Sequence, residues 1–191
     1  ITAVSCQPFA FHGYDCDPAM LERAADVLHD VPHVTLECAD YLASDWHTRY
    51  DGIICNPPYQ KFQHYSQRNE RLNLIEQQLG MKLSGLTNIY TLFLLKAMRQ
   101  LAPNGRAAFL CPSEVFHADY GVQIKQYLLD SGMVRAILLC DPRYAIFDDA
   151  LTTSCIVLLE NAPSNQPISS CLMCNDADVA DLTMRIKTGQ P

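Results

Sequence analysis

The sequence predicts an α/β fold with a mostly parallel sheet. Three observations carry it. Short apolar runs alternate with stretches of helical periodicity along most of the first 160 residues. Each run stops at turn-forming residues, as at Asp15-Cys16-Asp17-Pro18 and Asn56-Pro57-Pro58-Tyr59. The chain has 191 residues and is 49% hydrophobic, enough for the core of one domain.

Residues 10–14 read as a strand. Asp17 followed by Pro18 predicts an N-cap and a proline at the first helical position. Met20, Leu21, Ala24, Ala25, Val27 and Leu28 give that helix an apolar face. Residues 34–37 form a second short strand with Asp40 just beyond it, and 51–55 a third. Residues 60–85 read as polar and irregular, long for a connection. A strongly periodic helix covers 87–101 and ends at Ala102-Pro103-Asn104-Gly105. Then come a strand at 106–111, a helix at 120–130 stopped by Ser131-Gly132, and strands at 133–140 and 152–160. From Asn161 the composition turns to Pro, Ser, Asn and Gln. Residues 161–167 read as a linker, and 168–191 as a strand and helix of a following region.

Asn56-Pro57-Pro58-Tyr59 holds the most chemical information. Two successive prolines cannot extend a central strand, because neither has an N–H to donate. The chain leaves the sheet there in a rigid, extended form. The Asn56 amide, the Pro57 carbonyl and the Tyr59 ring then stand at the carboxyl end of a strand, where open α/β sheets bind ligands. An amide oxygen and a backbone carbonyl are two acceptors, suited to gripping both protons of an NH2 group. A flat ring beside them can stack on a heterocycle.

Composition narrows the classes. No run of eighteen apolar residues exists, so nothing spans a membrane, and no leader argues for secretion. Nine cysteines without framework spacing point to a reducing, cytoplasmic setting. Cys171-Leu172-Met173-Cys174 is a lone C-x-x-C, and no metal is expected. The net charge is −7, yet residues 61–106 carry Lys61, Arg68, Arg71, Lys82, Lys96, Arg99 and Arg106 against Glu70 and Glu76. That segment suits phosphate contacts and equally a solvated face.

The motif resembles the (Asn/Asp/Ser)-Pro-Pro-(Tyr/Phe) signature of S-adenosylmethionine-dependent amino-methyltransferases. Over residues 10–160 the chain is similar to the catalytic domain of gamma-class adenine-specific (N6) DNA methyltransferases of restriction–modification systems. The resemblance implies a Rossmann-like S-adenosylmethionine-dependent methyltransferase fold. Asn56, Pro57, Pro58 and Tyr59 are then catalytic. Asp15, in Gly13-Tyr14-Asp15-Cys16-Asp17-Pro18, matches the acid that binds the cofactor's ribose, with Cys16 against its adenine. Asp40 and Tyr41 match the acid and the ring beside that adenine. Phe147 matches an aromatic that covers the flipped target base opposite Tyr59. Leu101-Ala102-Pro103-Asn104-Gly105 is frequent before a methyltransferase strand and bears on fold rather than chemistry. The implied cofactor is S-adenosylmethionine and the implied partner double-stranded DNA.

The family's first strand and glycine-rich loop have no match in residues 1–9. The expectation is an N-terminally truncated catalytic domain over 1–160, with 161–191 a linker and the start of another region. An exposed strand edge would then invite pairing with another chain, though residues 1–4 could substitute. The alternatives are a methyltransferase of this motif acting on protein glutamine or RNA, or a non-catalytic fragment retaining the fold. The release-factor family usually follows its motif with Glu-Pro and glycines. Here Gln60-Lys61-Phe62-Gln63-His64 follows, which favours DNA.

Overall fold

The computed structural model describes residues 9–59, 68–116, 121–141, 154–162 and 167–175, with 177–178, 180–181 and 184–185 beyond them. Two compact units divide the chain, Ile1–Asp45 and Trp46–Pro191.

Among the described residues, the first unit has two strands and one helix. β1 (Phe11–Asp15) and β2 (Val34–Cys38) pair in parallel, from Phe11 opposite Val34 to Asp15 opposite Cys38. α1 (Pro18–Val27) connects them. It starts as expected: the Asp17 carboxylate accepts from the Ala19 N–H at 2.9 Å, and Pro18 takes a first-turn position. The apolar face read from the sequence exists, yet no α1 residue is buried within this structure.

Among the described residues, the second unit holds a five-stranded sheet in the order β3-β4-β6-β5-β7. Its strands are β3 (Tyr50–Cys55), β4 (Leu101–Pro112), β5 (Val134–Cys140), β6 (Ser154–Glu160) and β7 (Ser169–Met173). β3–β4 and β5–β7 are parallel, while β6 runs antiparallel to both β4 and β5. Its helices are α2 (Arg68–Leu79), α3 (Ile89–Gln100) and α4 (Gly121–Asp130). Among the described residues β3 is an edge strand, with β4 its neighbour.

The core is built on α3 and the central strands. Leu92, Leu95, Ala97, Phe109, Cys155 and Val157 are fully enclosed. Lys96 is enclosed too, its ammonium 5.1 Å from the centre of the Trp46 ring, a cation–π contact.

Three expectations change. Residues 60–85 are not irregular throughout, because Arg68–Leu79 form α2. That helix is rich in strong helix formers but buries only Ile75, so its apolar signal is faint. β4 begins directly at the end of α3, at Leu101 rather than at Arg106. Its pairing with β3 is irregular between Tyr50 and Gly52, and Asn104 there takes φ +63°. Gly105 is required at this bulge, since a Cβ would lie 2.9 Å from the Ala102 and Tyr50 carbonyl oxygens. The strand after Pro167, read from the sequence as part of a following region, pairs in parallel with β5 in this sheet.

Asn161, read from the sequence as the start of a linker, closes the β4 bulge. Its side-chain amide donates to the Leu101 carbonyl at 2.8 Å and to the Ala102 carbonyl at 3.1 Å. Its backbone exchanges hydrogen bonds with Asn104 and Gly105. Glu160 beside it accepts from Arg106 and Arg135, each at 3.0 Å, and these bonds hold its carboxyl below the usual range.

Candidate active site

β3 delivers Asn56 to the carboxyl end of the sheet. The strand ends at Cys55, and Asn56-Pro57-Pro58-Tyr59 leaves without further pairing. Pro57 is buried and anchors the turn, while Asn56, Pro58 and Tyr59 are exposed. The Asn56 amide and the Tyr59 ring are therefore open to a ligand, and the Pro57 ring, without an N–H, plugs the core.

Tyr59 has an aromatic neighbour that sequence reasoning missed. The Tyr90 ring meets it edge to face, with centroids 6.4 Å apart and planes at 84°. The Asn88 amide in turn donates to the Tyr90 hydroxyl at 2.8 Å. Asn88 and Tyr90 open α3, far along the chain from Tyr59, so local pattern carries no signal of this contact.

The surroundings are apolar and sulfur-rich. Cys111 on β4 faces Cys155 on β6, with Sγ atoms 3.7 Å apart, and Cys140 ends β5 at the same end of the sheet. Burial pushes the Cys55 thiol up to about 12. Tyr59 also rises to about 12, first through burial and then through the thiols of Cys111, Cys155, Cys140 and Cys55. Its phenol is therefore neutral at ordinary pH. A neutral phenol offers an aromatic face rather than a phenolate base.

In the first unit, Asp15 ends β1 and Asp40 follows β2, so both acids stand at the carboxyl ends of adjacent parallel strands. One Asp15 carboxylate oxygen accepts from the Asp17 N–H at 2.8 Å, and one Asp40 oxygen from the Leu42 N–H at 3.0 Å. These bonds orient the two carboxylates. The Ala39 N–H donates to the Asp15 carbonyl at 3.0 Å, continuing the pairing to the edge of the site. Tyr41 lies 5.5 Å from Tyr14, ring to ring, and Cys16 is exposed. The structure thus groups Asp15, Cys16, Asp40 and Tyr41 in one unit and Asn56 to Tyr59 in the other. Phe147 lies outside the described residues.

Cys174 donates to Asp141 at 3.8 Å, and Cys171 to a neighbouring carbonyl. Among the described residues, no group of three or more His, Cys, Asp or Glu could hold a metal ion. No helix among them is long and apolar enough to cross a membrane.

The fold is that of the class I S-adenosylmethionine-dependent methyltransferases. It is similar to the type I restriction–modification methyltransferase subunit of Streptococcus thermophilus, with TM-score 0.75 and 20% identity over 95% of this chain and 43% of that one. In sequence the chain is 46% identical over 148 residues to type II methyltransferase M.AccI of Acinetobacter calcoaceticus. The match spans 78% of this chain and 27% of that protein's length. It is also 30% identical over 101 residues to a tRNA1(Val) (adenine(37)-N6)-methyltransferase of Vibrio vulnificus, covering 51% of this chain and 39% of the relative. The family model of the Eco57I restriction-modification methylases matches residues 17–147, which include Asp40 of the first unit and the Asn-Pro-Pro-Tyr turn of the second. The chain belongs to the Eco57I restriction-modification methylase family.

Proposed function

We propose that this chain provides the amino-group site of an adenine-specific DNA methyltransferase of a restriction–modification system, which methylates the exocyclic N6 of a flipped-out base. The observation that carries the proposal is the turn after β3. It presents the Asn56 amide and the Tyr59 ring to solvent while Pro57 is anchored in the core.

Adenine in a duplex hides its amino group in pairing and stacking, so the base must leave the helix. Tyr59 offers a neutral ring for it, at roughly 1–3 kcal/mol per aromatic contact. Phe147 is the proposed second ring, on the opposite face. The Asn56 side-chain oxygen and the Pro57 carbonyl accept the two amino protons. Those bonds draw the nitrogen lone pair out of conjugation with the ring and aim it. The gain lies in positioning and electrostatics, without a covalent enzyme intermediate. No strong base is needed, because the amino proton becomes acidic only after the new N–C bond has formed.

The donor set of the first unit suits S-adenosylmethionine. Asp15 would accept from the ribose hydroxyls and Asp40 from the adenine amino group, with Cys16 and Tyr41 against the ring. The oriented carboxylates at adjacent strand ends support this fit. The cofactor supplies an electrophilic methyl group on a sulfonium. Double-stranded DNA is the proposed partner and the cytoplasm the proposed compartment. RNA is the second reading, favoured by the similarity to the Vibrio tRNA enzyme.

The test is methyl transfer by the complete polypeptide carrying this chain, beside its Asn56→Ala variant, on unmodified duplex DNA and on RNA. The nucleosides are then weighed by mass spectrometry. We expect N6-methyldeoxyadenosine from DNA. Asn56→Ala should lose roughly 10²–10³-fold in kcat, the usual cost of one preorganised polar group at the reacting centre. Cofactor affinity should change little. Equal losses in turnover and cofactor affinity would refute the role of Asn56. Methyl found only in RNA or protein would overturn the DNA assignment.

A further inference from the structure

We infer that Tyr90, fastened by Asn88, is a positioning residue that sets the plane of the Tyr59 ring. The inference rests on the reading of Tyr59 as the ring that stacks on the target base.

Asn88 occupies the N-cap of α3. A side chain there ordinarily accepts from an N–H of the first helical turn. Asn88 makes no such bond, and its amide donates instead to the Tyr90 hydroxyl at 2.8 Å. The helix forgoes a stabilising cap, and the group that would have made it holds an aromatic ring.

Tyr90 is well placed to pass that order on. It is only 3% exposed, in the first turn of a helix that buries ten of its twelve residues. Its backbone is set by α3 and its hydroxyl by Asn88. Tyr59 is different: 39% exposed, on a stiff turn but with a side chain that can swing. The Tyr90 ring meets it at 84° with centroids 6.4 Å apart, an arrangement the ring quadrupoles favour. This contact restricts the plane of the Tyr59 ring without a second ring stacked parallel on it. A base must meet that plane within narrow limits for its amino group to reach both acceptors.

The experiment is a double-mutant cycle on the complete polypeptide. Tyr59→Ala, Tyr90→Leu and the double variant are compared in kcat, KM for DNA and affinity for S-adenosylmethionine. Alongside, 2-aminopurine at the target position reports base stacking by its fluorescence. Tyr90→Leu should lower kcat by roughly tenfold, raise 2-aminopurine emission and leave cofactor affinity unchanged. In the Tyr59→Ala background, Tyr90→Leu should cost almost nothing further, because it acts through the missing ring. Asn88→Ala should lower kcat by about threefold in the same pattern, and it carries the test if Tyr90→Leu does not fold. Losses that add in full in the double variant would overturn the inference while leaving Tyr59 on the base. So would kcat and emission unchanged in both Tyr90→Leu and Asn88→Ala. If Tyr59→Ala itself alters neither turnover nor emission, the stacking reading fails, and the positioning role fails with it.

Discussion

α1 and α3 are of similar length, and both present apolar residues at helical spacing, yet they live in opposite surroundings. α3 buries ten of its twelve residues against its own unit. α1 buries none, and Val27 near its end is 78% exposed. The difference teaches where the chain's stability resides. The acceptor turn after β3 is mounted on a sheet with an enclosed core. The two carboxylates proposed for the cofactor, Asp15 and Asp40, stand at the carboxyl ends of a pair of strands that are mostly exposed or half-buried. Local bonds such as Asp17 to Ala19 shape the first unit, and tertiary burial shapes the second.

Paired truncations should separate the two regions most sharply. Leu95→Ala removes a fully buried side chain from α3, at a cost of about 2–5 kcal/mol in a denaturant melt. Val27→Ala in α1 should stay within about 0.5 kcal/mol, as surface changes do. Equal losses at the two sites would break the contrast. A smaller effect sharpens it. Asp15→Ala should weaken S-adenosylmethionine binding by roughly tenfold, about 1.4 kcal/mol by calorimetry, with the melt of the second unit unchanged. A variant that unfolds the whole protein would mean that Asp15 is structural rather than a cofactor ligand.

The same contrast explains what could be read from the sequence. α1 was legible through its ends, because Asp17-Pro18 is a local signal. α3 was legible through its periodicity, which reflects burial. α2 was missed because its residues favour a helix while burying little, so neither signal is strong. The start of β4 was missed because its bulge depends on Asn161, a distant residue whose bonds no local pattern records. The exit from the sheet after Cys55 is plain from its two prolines. The edge-to-face contact of Tyr59 with Tyr90 is not, since such contacts leave no spacing in sequence.

Cys55 sits immediately before Asn56, on the strand that carries the acceptor turn. Under the proposed reaction, a sulfur nucleophile lies one residue from a group that handles an electrophilic methyl. Only a thiolate would compete for it. Burial keeps Cys55 protonated, its thiol pushed up to about 12, so at neutral pH it is chemically silent. Under that reading, a thiol kept protonated beside Asn56 does not compete for the methyl group at neutral pH. After many turnovers, mass spectrometry should find the peptide holding Cys55 unmethylated. A methyl group on that sulfur would show that the protection fails.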